Sequence, residues 1–375
     1  MIIPFGKPFI NDEEISAVSE VLKSGWLAHG PKVKEFEKAF ANYTSAEHAV
    51  CLSSCTAGLH LSLIALGVGP GDEVIVPAQT HVATAHSVMY VGAKPVFADI
   101  DPRTYNISVD SLRKSITKKT RAVNIVHFAG LPCDMEQIIK IAEENKMYII
   151  EDCAHAVGAE YKGRTVGTLG QTGCFSFYPI KHITTTEGGM LITNKEEIAE
   201  KVSKLRAFGI DVATFYRKKP GVYDTTSLGY NYRMTEVEAA IGLVQLKKSS
   251  EMIKKRIENA AILDKALKNI PGLKTPYVPE KVKHSYFFFQ LRVTKDFPLS
   301  RDELILKLKE KGIGTSIYYA TPVHLMTLYR NEFGYKEGML PHAEKSAEET
   351  LALPVHPLLG RKEMIYIGEV IQSFG

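Results

Sequence analysis

The chain has 375 residues, of which 45% are hydrophobic and 23% charged, and a formal net charge of +4. That profile belongs to a soluble globular protein, and the length exceeds one ordinary core, so two domains or one large and one small are expected. So small a charge, with no basic face evident, gives no reason to expect nucleic acid as a partner.

The opening MIIPFGKPFINDEE lacks the basic-then-apolar pattern of a signal peptide, and no apolar run approaches the roughly 20 residues of a membrane span. Five scattered cysteines in apolar contexts read as reduced and mostly buried. Cys51 and Cys55 lack the second ligand pair that structural zinc needs, so no metal is expected. Together these features point to the cytoplasm and away from a membrane.

In chain order, NDEEISAVSEVLKSG begins with helix-capping residues and stops at Gly25, the pattern of a helix. GPKVKEFEKAFANYT predicts a second, with Val33, Phe36, Phe40 and Tyr43 along one stripe. HAVCLSSCTAGLHLSLIALGV reads as strand, small-residue turn and apolar helix. DEVIVP and KPVFADI are short strands separated by the helical THVATAHSVMYVG. AVNIVHF (strand), DMEQIIKIAEENK (helix) and MYIIEDC (strand) repeat the alternation. Strands alternating with helices predict a parallel sheet covered on both faces, and near-continuous apolar strands suit that burial.

From Thr235 the texture changes to a long helical stretch. Beyond it, SYFFFQLRV, RDELILKLKEKG and TSIYYA suggest strand, helix and strand, and the tail YIGEVIQSFG a last helix. The expected division is a large unit over residues 1–245 and a smaller α+β unit over 246–375, with the boundary inside the long helix.

Three segments carry candidate chemistry. LSSCTAGLHLSL places small and hydroxyl residues between a strand and a helix, which makes either an anion site of backbone amides or simply a tight turn. Asp152 ends a very apolar strand, where open α/β sheets bind ligands; it is either a ligand-facing carboxylate or the cap of a following helix. His155, three residues on, reads equally as a satisfied core histidine. Lys181, in FSFYPIKHITTTEGGM, either snorkels to water or is a desolvated amine of the kind used on carbonyls. A phosphate cradle, a buried Asp and a lysine 29 residues later (181 − 152) are what pyridoxal phosphate requires.

At this point the chain closely resembles the DegT/DnrJ/EryC1/StrS sugar aminotransferases, vitamin B6 enzymes of the aspartate aminotransferase fold, fold type I. The resemblance runs from about Phe5 to Pro357 on six ordered motifs: GWLAHGPKVKEFEKAFANY, GPGDEVIVPAQT, GAKPVFADID, EDCAHAVGA, FSFYPIKHITTTEGGM and LGYNYRMTEVEAAIGLVQL. It implies an α/β fold: a large domain with a mostly parallel seven-stranded sheet between helices, and a smaller C-terminal α+β domain.

By position, the resemblance makes Lys181 the lysine that bonds the pyridoxal phosphate and Asp152 the partner of its ring nitrogen. Thr56, Ala57 and Ser176 would contact the phosphate, joined by Asn231 from a second subunit, which implies a homodimer with shared sites. His155 would sit near the ring's phenolic oxygen, and His81 would stack on the ring where the family usually has an aromatic residue. Glu187 and His324 look like substrate-side residues. Thr186 stands where glycine is common, and Cys55 and Gly58 where glycine and alanine are more usual.

The implied reaction moves an amino group from glutamate, which leaves as 2-oxoglutarate, to C3 or C4 of a nucleotide-linked ketosugar, with pyridoxamine phosphate in the cycle. Such chemistry serves amino-sugar biosynthesis, as in lipopolysaccharide and O-antigen. Lys181 is the general base in this reading. Basic candidates for the sugar's phosphates are Arg233 and the run Arg217, Lys218 and Lys219, which otherwise is a solvated loop. Two other readings stand beside it. A branch of the family with histidine in place of the lysine is a sugar dehydratase, but here histidine is only the neighbour, His182. Other relatives resemble regulators or sensors, which have no use for a desolvated amine.

Overall fold

A computed structural model describes residues 1–28, 30–210, 219 and 221–375. The first two helices are α1 (Asp12–Ser24) and α2 (Pro31–Thr44). Asn11 caps α1 through a reciprocal pair with Glu14, as the sequence suggests. The large unit continues with β1 (His48–Leu52), α3 (Cys55–Ala65), β2 (Glu73–Pro77), α4 (Val82–Tyr90), β3 (Lys94–Ala98), α5 (Val109–Ser115) and β4 (Thr120–Val126). Then come α6 (Met135–Glu144), β5 (Tyr148–Asp152), the short β6 (Glu160–Tyr161) and β7 (Arg164–Thr165), β8 (Thr172–Ser176), β9 (Gly189–Thr193) and α7 (Glu196–Leu205).

Seven of these strands form one sheet in the order β1-β9-β8-β5-β4-β2-β3. Only β9 runs against the other six, so the sheet is mostly parallel, as expected. Its strands are buried on both faces: every residue of β2 and β9 is enclosed. The stripe of α2 packs on the sheet, with Phe40 5.1 Å from Phe175 and 5.6 Å from Phe177 between ring centres.

The long helix is α8 (Glu236–Leu267), opened by a capping box between Thr235 and Glu238. Glu236 itself is buried and turned to another task. Its carboxylate accepts from the Gly30 and Val33 amides at 2.8 and 3.0 Å and from Lys32 at 2.8 Å, so it caps α2 from 200 residues away in the chain. The remaining elements are β10 (Leu273–Lys274), β11 (Val282–Lys283), β12 (Phe289–Val293), α9 (Arg301–Glu310), α10 (Thr327–Phe333), α11 (Pro341–Glu349), β13 (Thr350–Leu353) and α12 (Arg361–Gln372). β10, β12 and β13 make a small antiparallel sheet, and β11 joins β6 and β7 in another.

α8 serves two cores. Leu243, Leu246, Met252 and Ile253 belong with α2 and β8, whereas Ala260, Leu263 and Leu267 belong with the small sheet and α12. The first residues also cross over: the Ile3 amide donates to Gly312 O and the Gly314 amide to Ile3 O. We propose two units that share α8, with the start of the chain attached to the second.

One expected strand is not there. TSIYYA, residues 315–320, has a single bridge between Ser316 and Ala352 and otherwise turns. Its aromatic residues serve packing instead: Tyr318 stacks on Phe288 with centroids 4.4 Å apart. The third strand of the small sheet is Thr350–Leu353, and SYFFFQLRV is strand only over Phe289–Val293.

Candidate active site

Four parallel strands deliver marked segments to one edge of the sheet. β1 ends before Ser54, β2 before His81, β5 at Asp152 and β8 at Ser176, whose loop carries Lys181 back to β9. The carboxyl edge of such sheets is where ligands bind.

Two glycines let this edge close. Gly188 has φ +144°, open to glycine alone at low cost. A Cβ on Gly189 would lie 2.3 Å from the Ser54 carbonyl carbon, so glycine lets the turn before α3 rest on the β9 backbone. At that turn Ser54 caps α3, its Oγ accepting from the Ala57 amide at 3.1 Å. Among the described residues, the Thr56 amide at the first turn takes no partner, and the Cys55 amide lies at the bridge between Ser54 and Gly188, so the helix start offers donors to an anion. The Ala57 amide, expected to face a phosphate, is held by Ser54. Ser176 ends β8 nearby, and its Oγ accepts from the Tyr178 amide at 3.4 Å.

Asp152 is 5% exposed. Its Oδ2 accepts from Thr84 Oγ1 at 2.9 Å, and its Oδ1 from the Ala154 amide at 3.1 Å and, weakly, from Cys55 Sγ at 3.8 Å. Burial, and then the negative charge of Asp152 and the neighbouring Cys174, push the Cys55 thiol well above its usual range, so it stays a donor. No helix follows Asp152, so it is not a helix cap, and its carboxylate has room to accept more.

Lys181 Nζ lies 4.4 Å from the centre of the Phe287 ring. Burial lowers its pKa to about 8, with Asp152 and Cys55 pulling the other way. An amine so shifted gives up its proton more readily than an ordinary lysine. His182 turns elsewhere: its Nε2 meets Ser285 O at 3.1 Å and its ring is buried beside Phe287. The two neighbours separate because Lys181 sits in a turn, its amide on Tyr178 O.

His155 is 4% exposed and stacks on Phe287, centroids 4.5 Å apart. Its Nδ1 is buried and has no partner among the described residues. Burial, then Lys181, His182 and His81, hold it well below the usual histidine range, so it is neutral. His81 caps α4 through Nδ1, 3.2 Å from the Ala83 amide, with its ring open to the cleft 6.1 Å from Tyr319. Glu187 is exposed on the same loop, after Thr186, whose φ of +73° explains why glycine suits that position.

Two expected positions lie apart. Asn231 is exposed, bridged to Ala207, on a face of the chain with Phe208 and Leu228. His324 is fully buried among Phe97 and Tyr335, with Nε2 3.1 Å from Glu344. The ring is tied to α11 through Nε2, while its Nδ1 has no partner among the described residues. Arg233 lies over the Phe208 ring at 4.9 Å, and Lys219 is exposed; Arg217 and Lys218 fall outside the described residues.

The sequence reading missed Thr84 and the wall of Phe287, Phe288 and Tyr318. The repeated threonines of QTHVAT and the run SYFFF were their signals. Near the site, His127, Glu151 and Cys153 gather within 4.8 Å. They are not free for a metal, because Glu151 accepts from His127 Nε2 at 2.9 Å and from the Gly167, Leu169 and Gly170 amides.

A model of the DegT/DnrJ/EryC1/StrS aminotransferase family matches residues 8–372. The chain belongs to this family. It is 42% identical over 376 residues to the spore coat polysaccharide biosynthesis protein SpsC of Bacillus subtilis, covering 99% of this chain and 96% of that one. The structure of Spr1654 from Streptococcus pneumoniae, solved in PLP and PMP forms, is 32% identical with a TM-score of 0.93, over 100% and 98% of the two chains. PseC of Helicobacter pylori, an aminotransferase in pseudoaminic acid biosynthesis, is 29% identical with a TM-score of 0.92, over 100% and 99%.

This aminotransferase is therefore a sugar aminotransferase of the pyridoxal phosphate fold type I, and pyridoxal phosphate is its cofactor. The site fits that group on its own terms. It offers an amine of lowered pKa, a buried carboxylate with acceptor capacity, an unpartnered amide at a helix start, and an unpartnered ring nitrogen on His155. No helix among the described residues is long and apolar enough to cross a membrane.

Proposed function

We propose that this aminotransferase moves an amino group from glutamate to a keto carbon, C3 or C4, of a deoxyhexose carried by a nucleoside diphosphate. The observation that carries the reading is a buried amine and a buried carboxylate at the carboxyl edge of the sheet: Lys181, its pKa lowered by burial to about 8 and felt by the charge of Asp152, and Asp152 itself, 5% exposed. The part of SpsC in spore coat polysaccharide biosynthesis and of PseC in pseudoaminic acid biosynthesis supports a sugar-nucleotide substrate for amino-sugar biosynthesis.

In this reading Thr56, the α3 amides and Ser176 hold the cofactor's phosphate, and Asp152 takes the ring nitrogen. His155 lies toward the ring's oxygen and His81 against its face. When bound, pyridoxal phosphate carries the amino group and draws electrons from the carbon that loses its proton. Lys181 Nζ takes that proton from the amino-bearing carbon and returns it on the far side of the transfer, which asks for a pKa near neutrality. Phe287 lies under the amine, and Phe288 and Tyr318 stack on each other behind it. Asn231, exposed beside Phe208 and Leu228, reaches the partner's phosphate site in a homodimer, and Glu187 faces the substrate. Lys181, rather than a histidine, beside the cofactor favours amino transfer over dehydration.

The test is an absorbance spectrum of the purified protein before and after glutamate, with Lys181→Ala alongside, followed by a ketosugar nucleotide screen. We expect a visible band that glutamate removes and a ketosugar restores. A band indifferent to glutamate overturns the donor assignment, and turnover by Lys181→Ala at the wild-type rate overturns the role of the lysine.

A further inference from the structure

Behind Asp152 stands a second, wholly buried pair of hydroxyls. Thr84 is 0% exposed and Thr80 1%, and their Oγ1 atoms lie 2.7 Å apart. Thr84 Oγ1 lies 2.9 Å from Asp152 Oδ2, across 68 residues of chain. Directions follow from counting protons. A carboxylate at this site has none to give, so Thr84 donates its single hydroxyl proton to Asp152 and accepts the proton of Thr80. A β-branched side chain in the first turn of a helix has few rotamers, so the donor is held in place. The carbonyl of Thr84 is tied too, accepting from Ser87 Oγ at 2.9 Å.

Local helix capping does not account for this arrangement, because His81 caps α4 and the Thr84 hydroxyl points to another element. The Ala154 amide and the Cys55 thiol engage only Oδ1. Without Thr84, Oδ2 has no protein donor among the described residues, and the carboxylate is free to turn about its Cβ–Cγ bond.

We propose that Thr84, backed by Thr80, is a positioning residue that orients Asp152 for the ring nitrogen of the cofactor. The inference rests on the reading of Asp152 as the partner of that nitrogen, and the experiment separates the two. Wild type, Thr84→Val, Thr84→Ser and Thr80→Val are titrated with pyridoxal phosphate and with its 1-deaza analogue, in which carbon replaces the ring nitrogen. The ratio of the two dissociation constants isolates the contact with Asp152.

For the wild type, a charge-assisted hydrogen bond gives a ratio on the order of 10-fold to 100-fold. Thr84→Val, close in volume to threonine, is expected to cut that ratio about tenfold and to lower kcat more than it changes KM. Thr84→Ser restores both to within about twofold, and Thr80→Val cuts the ratio by about threefold. Equal weakening of both ligands by Thr84→Val shows a merely structural residue and overturns the proposal. A wild-type ratio near one overturns the Asp152 reading itself. If Thr84→Val does not fold, as judged by circular dichroism and melting, Thr80→Val decides, and an unchanged ratio there overturns the relay.

Discussion

Glu151 and Asp152 are adjacent on β5 and both buried, yet they face opposite sides of the sheet and live differently. Glu151 is closed. Both its oxygens are engaged by three amides and by His127, whose Nδ1 accepts from the Cys133 amide and so leaves the proton on Nε2 for the carboxylate. Asp152 has one amide, one hydroxyl and a weak thiol. Burying a carboxylate is costly unless it is paired, so an acid that the fold satisfies completely is architecture. One left short of partners at the carboxyl edge of the sheet keeps acceptor capacity, which the proposed function gives to the cofactor. Strand position alone does not separate them; the donor count does.

The strongest break of that comparison removes the amine that Asp152 faces. Lys181→Ala is expected to lose more than about 10³-fold in turnover, the scale of a lost general base that also anchors the cofactor. Borohydride, which fixes the cofactor to the wild-type chain, should add no mass to the variant. Next, Asp152→Asn keeps the shape and removes the charge. Turnover is expected to fall about 10²–10³-fold, as for other preorganised electrostatic contacts. The cofactor-free protein should lose less stability than Glu151→Gln does, because fewer protein donors are tied to this carboxylate.

The mirror experiment is Glu151→Gln. An amide nitrogen then confronts donors that need an acceptor, and the cost should be about 3 kcal/mol of stability by denaturant unfolding. Turnover of the protein that remains folded should stay within about threefold of wild type. A variant that keeps its stability and loses its turnover would reverse the roles assigned to the two acids.

The sequence carried one side of this contrast and hid the other, for a physical reason. Asp152 and Lys181 were legible because each stands in a local context, the end of an apolar strand and a loop rich in hydroxyls and glycine. The alternation of strands and helices, the stripe of α2 and the cap of α8 are local in the same way. Glu151 was invisible because its partners come from Gly167 to Gly170 and from His127, and Thr84 because it meets Asp152 only through the sheet. TSIYYA had the composition of a strand, but aromatic residues line a wall as readily as they fill a strand, and Tyr318 went to Phe288. His324 had a plausible neighbourhood in TPVHLM, and nothing local told which way its ring would face.

The smallest expected effect is a pH dependence that reads the neighbourhood of Asp152 directly. Burial lowers the Lys181 pKa to about 8 in the folded, cofactor-free protein, against 10.5 for an ordinary lysine. Below pH 8 both states hold the proton and folding bears the whole cost of a desolvated ammonium. Between about 8 and 10.5 the unfolded chain binds more protons than the folded one, so stability from this group rises with pH. Lys181→Met keeps the bulk and cannot titrate, so its melting temperature should exceed that of wild type by most at pH 7 and by less at pH 10. A margin that does not move with pH would mean that the amine is not desolvated. Asp152 raises this pKa, so in an Asp152→Asn background the margin should begin to close at lower pH. The charge that raises the amine's pKa comes from Asp152 and Cys55, so Glu151→Gln should leave the midpoint where it is. Two neighbouring acids would then be told apart by a third group that feels only one of them.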